Sequence, residues 1–307
     1  MKRIGFMFAG QGAQTVGMGR DLAEVSPAAR RVFEQADVAL GRSISRICFE
    51  GPAEVLTESV NCQPAIYTMS LACLAAFQEK TACQPVVTGG LSLGELAALT
   101  AAGALDAAAG TRLVAERGRL MQEACRASEG GMAAVLKGDN AVIAAICAAN
   151  GIDVANYNCP GQVVISGTKA GVAAASAELA AKGMRVMPLT VDGAFHSRLM
   201  QPAADRFVPV LAAAHLAVPV VPVAQNVVGA VVVDPEQIRI NLARQVSGSV
   251  RWEECVKAML ASGVDALIEF GPGKVLCGFA QRIDKSVPVC NVGGAADLAN
   301  AIDFLSK

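Results

Sequence analysis

The sequence has few of the residues that bind metal ions in the common zinc patterns. Only two histidines occur among 307 residues, and the ten cysteines never stand in a CxxC pair. Zinc sites usually combine such pairs with histidines at short spacings. The sequence therefore predicts no zinc site, and in a reducing compartment the cysteines are interpreted as small buried thiols.

Charge of either sign is also scarce, and the two signs balance. Charged residues make up 17% of the chain, with 26 Lys and Arg against 27 Asp and Glu. A protein that attracts nucleic acid or a membrane surface through its overall field carries a clear excess of basic residues. The composition therefore predicts no nucleic-acid or membrane partner, and an anionic ligand must be bound by local groups.

Long uninterrupted apolar runs are missing as well. The run that follows Lys2 stops at Gly10, which is too short for the apolar region of a secretory signal. The most apolar segment, residues 211–233, is interrupted by Pro219 and Pro222 and does not resemble a membrane span. We therefore expect a cytoplasmic protein.

Alanine and valine are what the sequence has in quantity. Hydrophobic residues make up 53% of the chain but aromatic residues only 4%, which favours helices packed closely on a valine-rich sheet. The strand patterns KRIGFMFAGQGAQ and PVVTGG each pass through a glycine turn into a helix, and such alternation predicts a parallel sheet. The expected fold class is therefore α/β.

The order of predicted strands and helices in the middle of the chain differs from that at its two ends. From Gly131 the patterns read strand, helix, strand, strand, helix, strand, which is the order of a ferredoxin-like unit. We therefore place an inserted ferredoxin-like domain at residues 128–191. Residues 1–127 and 192–307 then form an α/β-hydrolase-like catalytic domain with a short parallel sheet, whose final strand is expected in VDALIEFGPG.

The most informative short motif runs from Gly90 to Gly94 and reads GLSLG. It fits a nucleophile elbow, in which small residues on both sides of a strained strand-to-helix turn let Ser92 project. The backbone N–H of Leu93 then points toward an oxyanion, and the glycine turn AGQGAQ offers the N–H of Gln11 as a second donor. An ordinary turn between strand and helix is the alternative for both stretches.

A serine nucleophile needs a base, and the sequence offers two histidines. His215 lies in the apolar stretch LAAAHLAVPV and is interpreted as a structural or surface residue. His196 lies in VDGAFHSRLM, where the inserted domain rejoins the main one and side chains from both would line a cleft. His196 is therefore the preferred base, with a capping or packing role as its alternative.

Together these motifs resemble the malonyl-CoA:acyl carrier protein transacylase family over nearly the whole chain. The stretches that carry the resemblance follow the family's order: FAGQGAQTVGMG, GPAEVLTES, QPAIYT, LSLGE, RGRLMQE, GMAAV, NYNCPGQVVISG, GAFHSRLM, RQVSGSVRW and EFGPGKVL. The resemblance implies transfer of a malonyl group from malonyl-CoA to the phosphopantetheine thiol of an acyl carrier protein, through a malonyl-serine ester. It implies no cofactor and no metal ion. It also implies that the protein acts in fatty acid biosynthesis, with polyketide biosynthesis as the alternative pathway.

The resemblance also implies which residues carry the chemistry. The family's catalytic groups match, by motif, the nucleophile Ser92, the base His196, the oxyanion donors Gln11 and Leu93, and the backbone carbonyl of Gln245, which holds the imidazole. A carbonyl in that place still selects the tautomer that presents Nε2 to the serine. No aspartate is therefore required as a third member.

Substrate contacts are implied in the same way. Arg117 matches the family's partner of the malonyl carboxylate, which a guanidinium binds with two hydrogen bonds; its alternative is a surface arginine paired with Glu116 or Glu123. Leu91 departs from the family, which usually has histidine before the nucleophile. Further matched positions lie near the acyl group or line the cleft: Phe195, Gln63, Asn158 and Gln162.

Two other classes of protein would share these residues. A serine thioesterase or lipid acyl hydrolase would use Ser92, His196 and the same oxyanion loop, with water as the acceptor. A non-catalytic protein that binds acyl carriers would keep the cleft but form no acyl-serine ester. The ratio of transfer to hydrolysis separates the hydrolase from a transferase, and the lack of an acylated serine would indicate the binding protein.

Overall fold

The computed structural model describes residues 2–191 and 193–306 and has a mixed α/β fold with two separate sheets. The predicted domain boundary at Asp192 and the chain ends Met1 and Lys307 lie outside the described residues. The strands in this part of the chain are β1 (Ile4–Phe8), β2 (Pro85–Gly90), β3 (Gly130–Leu136), β4 (Asp153–Cys159), β5 (Gln162–Thr168), β6 (Arg185–Pro188), β7 (Val223–Gln225), β8 (Ala230–Val232), β9 (Ala266–Phe270) and β10 (Val289–Val292).

Helices connect these strands and cover the sheets. In chain order they are α1 (Arg20–Val25), α2 (Pro27–Leu40), α3 (Ile44–Glu50), α4 (Ala53–Thr57), α5 (Ser59–Lys80), α6 (Gly94–Ala101), α7 (Ala107–Arg126), α8 (Asn140–Ala149), α9 (Lys169–Ala181), α10 (Gln201–Ala213), α11 (Pro235–Ser247), α12 (Trp252–Ala261), α13 (Val275–Ile283) and α14 (Asp297–Ser306). The strand-loop-helix units predicted at Ile4 and at Pro85 are both present.

The larger sheet has the strand order β10-β9-β1-β2-β7-β8. Its neighbouring strands are parallel except β7 and β8, which are antiparallel. Phe6 and Phe8 of the central strand β1 pack into one hydrophobic cluster, and Met7 packs into another. Because side chains alternate across a strand, β1 is covered on both faces, which explains its unbroken apolar sequence. The predicted parallel sheet is confirmed.

The expectation that VDALIEFGPG holds the final strand is wrong. That stretch forms β9, but α13, β10 and α14 follow it, and β10 pairs in parallel with β9 at the edge of the sheet. β10 has only four residues, three of them half-buried. A short, partly exposed edge strand lacks the apolar run from which a buried strand is predicted.

The smaller sheet is antiparallel throughout and has the order β4-β5-β3-β6. The predicted order of elements is confirmed, because β3, α8, β4, β5, α9 and β6 follow one another along the chain. Val135, Ile143, Val163 and Leu179 belong to a hydrophobic cluster formed by these elements alone. The unit therefore has a core of its own.

Helix α5 is the one helix in the described residues that is long and apolar enough to cross a membrane by length and composition. However, 89% of the most apolar 18-residue stretch of this helix is buried inside the protein. It packs against α2 and α7. Such burial is that of a core helix in a globular fold.

Two glycines let α6 approach β2 and the end of β1 beside Ser92. A Cβ on Gly90 would overlap the carbonyl group of Gly94, and a Cβ on Gly94 would lie 2.7 Å from the carbonyl oxygen of Ala9. These neighbours are backbone atoms, which cannot turn aside as a flexible side chain can. The close approach of α6 to β2 therefore requires glycine at position 90, and its close approach to the end of β1 requires glycine at position 94.

We expect Gly90→Ala to lower the free energy of unfolding by about 3 kcal/mol or more, because the added methyl group overlaps backbone atoms. Gly278→Ala is the matched control, since a Cβ at Gly278 in α13 meets nothing within 4 Å and alanine is the better helix former. Urea unfolding followed by circular dichroism measures both variants. A Gly90→Ala protein as stable as the wild type would contradict the close packing.

Candidate active site

Ser92 lies in the turn between β2 and α6 and adopts a backbone conformation that is rare for serine. Its φ is 55°, in the left-handed region, where a residue other than glycine costs about 1–3 kcal/mol. The N–H of Ser92 donates to Oδ1 of Asn226 at 2.6 Å, and Nδ2 of Asn226 donates to the carbonyl of Gly90 at 2.8 Å. A side chain that follows β7 therefore holds the strained turn in place.

His196 contacts Ser92 through one ring nitrogen and the backbone through the other. Nε2 lies 2.7 Å from Oγ of Ser92, and Nδ1 lies 2.9 Å from the carbonyl oxygen of Gln245. A carbonyl oxygen only accepts hydrogen bonds, so Nδ1 carries the proton and Nε2 presents its lone pair to the hydroxyl. The structure thus brings together the three residues that the sequence predicted as serine, base and holder of the base.

The surroundings of His196 favour its neutral form. Burial, followed by the positive charge of Arg117, lowers the pKa of His196 to about 4, while backbone hydrogen bonds at Gln245 and Gly248 act in the opposite direction. The side chain is 4% exposed. The imidazole is therefore neutral near pH 7 and can accept a proton from the hydroxyl.

Arg117, on α7, is buried beside Ser92 at 2% exposure. Nη1 donates to Oε1 of Gln63 at 2.7 Å, and Nη2 donates to Oε1 of Gln245 at 2.9 Å and to Oγ of Ser92 at 3.1 Å. Within the described residues it forms no ion pair with a carboxylate. Burial lowers the pKa of Arg117 to about 10, with Glu95 acting in the opposite direction. The guanidinium therefore stays charged near pH 7, with only neutral oxygens as partners.

The alternative of a surface arginine describes Arg119 rather than Arg117. Arg119 forms ion pairs with Glu116 at 2.5 Å and with Glu123, and 41% of its side chain is exposed. Residues two apart on a helix do not share a face. Arg119 therefore faces solvent and pairs with Glu116 and Glu123, whereas Arg117 points into the protein.

The two predicted oxyanion donors flank Ser92. Leu93 directly precedes α6, and Gln11 lies in the turn after β1. β1 and β2 are parallel neighbours, so the loops that follow them lie at the same edge of the sheet. Over residues 2–191 and 193–306, no backbone acceptor is paired with either N–H group. Both groups are therefore available to a negatively charged oxygen.

A cavity of about 350 Å³ opens on Ser92 and His196. Its wall combines side chains of the smaller sheet with side chains of the larger unit, so the cavity lies between the two sheets. Residues from the smaller sheet are Met132, Asn156, Asn158 and Val164, and residues from the rest of the chain include Gln11, Leu91, Met121, Phe195 and Phe279. Mostly apolar walls with a few convergent polar groups are typical of a small-molecule site.

The remaining predicted contact residues are placed differently. Phe195 and Asn158 line the cavity, and Oδ1 of Asn158 is buried with no hydrogen-bond partner in the described residues. Gln63 lies behind the wall, where it accepts from Arg117. Gln162 is not part of the lining; its Oε1 accepts from Nη1 of Arg282 at 2.7 Å. His215, predicted as a structural or surface residue, is exposed beyond the end of α10.

Sequence reasoning assigns no role to Asn226 and Glu95, which lie beneath Ser92. Glu95 is 0% exposed, and burial raises its pKa to about 7, against the hydrogen bonds it accepts and the charge of Arg117. A lone carboxylate at the start of the apolar helix GELAAL is a signal that points to Glu95. Asn226 carries no such signal, because its partner Ser92 is 134 residues away in sequence.

A serine activated in this way forms acyl esters, so the site has the chemistry of an acyl-transfer enzyme. Comparison with known families agrees, because the family model described as acyl transferase domain matches residues 5–299. A relative from Bacillus subtilis named malonyl CoA-acyl carrier protein transacylase is 42% identical over 314 residues, which cover 100% of this chain and 98% of the relative. The chain belongs to the malonyl-CoA:acyl carrier protein transacylase family.

Two solved structures share the architecture. The acyl-carrier-protein S-malonyltransferase from Burkholderia pseudomallei matches with a TM-score of 0.94 and 40% identity, over 98% of this chain and 99% of that one. A malonyl-transacylase in complex with a type II PKS acyl carrier protein matches with a TM-score of 0.95 and 37% identity, over 98% of this chain and 99% of that one. The parallel-rich sheet and the separate antiparallel sheet are therefore those of known transacylases.

We expect the imidazole of His196 to remain neutral far below the ordinary histidine range. NMR titration of labelled histidine in a His215→Gln variant follows this one ring, and its midpoint should lie near pH 4. Arg117→Met should raise the midpoint, because it removes the nearby positive charge. A midpoint at the ordinary value of about 6.5 in the His215→Gln protein would contradict a buried neutral base.

Proposed function

We propose that this protein transfers the malonyl group of malonyl-CoA to the phosphopantetheine thiol of an acyl carrier protein through an ester on Ser92. The observation that carries the proposal is the buried guanidinium of Arg117, 3.1 Å from Oγ of Ser92 and hydrogen-bonded to neutral oxygens. A nucleophile beside an unpaired cation suits an acyl group that ends in a carboxylate. The relatives from Bacillus subtilis and Burkholderia pseudomallei, which are named as malonyl transferases, support the same activity.

In the first half-reaction, Oγ of Ser92 attacks the thioester carbonyl of malonyl-CoA while Nε2 of His196 takes the hydroxyl proton. The carbonyl oxygen becomes an oxyanion, which the N–H groups of Gln11 and Leu93 stabilise. The C–S bond then breaks, the sulfur of coenzyme A receives the proton from His196, and the malonyl ester remains on Ser92.

In the second half-reaction, the thiol of the carrier's phosphopantetheine arm takes the place of coenzyme A. Nε2 of His196 accepts the thiol proton, and the sulfur attacks the ester carbonyl at the same oxyanion site. The C–O bond to Ser92 breaks, and the proton passes from His196 to Oγ. The cycle balances without a cofactor, because His196 passes on the proton that it accepts in each half-reaction and is neutral again at the end.

The carbonyl of Gln245 stands where many serine enzymes have a carboxylate. It fixes the tautomer of His196 equally well, since it accepts from Nδ1 at 2.9 Å. It adds no negative charge beside the site. A carboxylate there would repel the malonyl carboxylate and attract Arg117 away from it.

Arg117 makes entry of a charged acyl group favourable in this proposal. An unpaired carboxylate that leaves water for a buried site costs several kcal/mol. The guanidinium offsets that cost by a paired hydrogen bond to the two carboxylate oxygens. Arg117 also determines which acyl group is preferred, because an acetyl group has no carboxylate that could pair with the guanidinium.

The other predicted contacts are proposed as shape and polarity determinants. Phe195, which lines the cavity beside the base, crowds the α-carbon of the acyl group, and the unpaired Oδ1 of Asn158 offers an acceptor to an amide N–H of the bound phosphopantetheine arm. Gln63 acts by holding Arg117. Gln162 lies outside the lining, and we assign it to the outer edge of the cleft, where Arg282 binds it.

We also propose finer descriptions of the fold. The larger unit, residues 1–127 and 192–307, is an α/β-hydrolase-like domain, supported by the parallel strands and the serine turn between β2 and α6. The smaller unit, residues 128–191, is an inserted ferredoxin-like domain, supported by the β4-β5-β3-β6 order and the separate core. The protein is proposed to be cytoplasmic and to serve fatty acid biosynthesis.

Incubation with malonyl-CoA in the absence of a carrier should leave a malonyl ester on Ser92, because the transfer stores the acyl group there before the second thiol arrives. Peptide mass mapping measures it. Ser92→Ala should carry no label. Addition of carrier should discharge the ester to the phosphopantetheine thiol much faster than water does. Label on another residue, or hydrolysis as fast as transfer, would favour a different reaction.

Arg117→Ala should abolish malonyl loading while acetyl loading is kept or improved, because only the malonyl group needs the cation. Arg117→Lys keeps the charge without the two-pronged geometry and should recover part of the malonyl activity. The measurement is the malonyl-to-acetyl ratio of kcat/KM. Arg119→Ala, on the same helix but facing solvent, is the control and should leave the ratio unchanged. An equal fall for both acyl groups would assign Arg117 a purely structural role.

A further inference from the structure

A buried carboxylate lies directly beneath the serine turn and takes no part in the chemistry proposed above. Glu95, in the first turn of α6, is 0% exposed. Its Oε1 accepts a hydrogen bond from Nε2 of Gln225 at 3.0 Å. Its Oε2 accepts from the N–H of Asn226 at 2.7 Å and from Nε2 of Gln245 at 3.0 Å. The carboxylate therefore binds three donors and does not line the cavity.

Gln245 connects this carboxylate to Arg117 through the two ends of one amide. Nε2 of Gln245 donates to Oε2 of Glu95 and to the carbonyl of Ser92, both at 3.0 Å. Oε1 of Gln245 accepts from Nη2 of Arg117 at 2.9 Å. A carbonyl and an ionised carboxylate cannot donate, so the carbonyl of Ser92 and Glu95 both require the amino end of the amide to face them. The amide oxygen is then left facing the guanidinium. Burial raises the pKa of Glu95 to about 7, so Glu95 is mainly ionised above that pH.

This indirect link keeps the charge of Arg117 available to a ligand. A carboxylate in direct contact would occupy the paired N–H edge of the guanidinium and neutralise it. Gln63 and Gln245 offer neutral oxygens instead, at 2.7 Å and 2.9 Å. When Glu95 is ionised, its negative charge lies one amide away from Arg117 and still lowers the cost of burying the cation.

We propose that Glu95 is a positioning residue: it locks the side-chain amide of Gln245 so that Arg117 is held beside Ser92 ready to receive the carboxylate of the acyl group. The inference deepens the proposed function and rests on it. The backbone carbonyl of Gln245 holds His196, whereas Glu95 acts on the side chain. The effect of Glu95 on acyl selectivity is therefore separable from the action of the base.

Glu95→Gln tests the inference with a neutral residue of the same shape. The new amide offers one oxygen to three donors, so Nε2 of Gln245 loses one of the acceptors that orient its amide, and the amide holds Arg117 less firmly. The malonyl-to-acetyl ratio of kcat/KM should fall about 10-fold or more, through a higher KM for malonyl-CoA, while kcat/KM for acetyl-CoA changes less than about 3-fold. The rate at which an uncharged sulfonyl fluoride modifies Ser92 should stay near that of the wild type.

Glu269→Gln is the matched control for the loss of a buried carboxylate. Glu269 is 1% exposed and accepts from the N–H groups of Leu276 and Cys277 at the start of α13. Its replacement should leave the malonyl-to-acetyl ratio unchanged. An equal fall of the malonyl-to-acetyl ratio in Glu269→Gln and Glu95→Gln would show that the loss of any buried carboxylate lowers the ratio. That result would overturn the inference.

Gln245→Met provides a second route if Glu95→Gln fails to fold. It removes the amide but keeps the backbone carbonyl that holds His196, so the ratio should fall as in Glu95→Gln. In the double variant the two effects should not add, because both act through one amide. The inference is overturned if Gln245→Met keeps the wild-type ratio, if the effects add, or if Glu95→Gln lowers malonyl and acetyl transfer equally. If the wild type forms no malonyl ester on Ser92, the proposed function itself fails.

Discussion

The site depends on one constraint, a buried guanidinium that has no carboxylate partner among the residues that the structure describes. A charge removed from water is tolerated only when its N–H groups are satisfied. Arg117 meets that need with oxygens of Gln63, Gln245 and Ser92, which come from α5, α11 and the turn after β2. The packing of these three elements around α7 is therefore coupled to the position of one cation.

The same cation shapes the base. His196 and Arg117 both contact Oγ of Ser92, so the positive charge adds to burial in lowering the pKa of His196. A carbonyl rather than a carboxylate holds the ring, and the carboxyl group of Glu95 contacts Arg117 only through the amide of Gln245 and does not line the cavity. A neutral base and an unpaired cation are then compatible within one small volume, and together they suit an anionic acyl group.

Much of this arrangement follows from local sequence. The GLSLG stretch predicts the turn at Ser92, because only glycine permits the backbone contacts found at Gly90 and Gly94. The strand and helix patterns of the middle segment predict its six elements in the correct order. The short edge strand β10 is not predicted from the sequence, because few of its side chains are fully buried and its apolar pattern is weak.

The sequence by itself determined the periodic elements and the glycine turn, and its likeness to a family predicted the roles of Ser92, His196 and Arg117. Only the tertiary structure decided that Arg117 rather than Arg119 faces inward, that Gln162 stays outside the cavity wall, and that Asn226 and Glu95 support Ser92 from below. Local patterns arise from the backbone and the nearest neighbours along the chain. Burial, charge pairing and the orientation of an amide depend on groups that are more than a hundred residues apart and meet only when the sheets and helices pack.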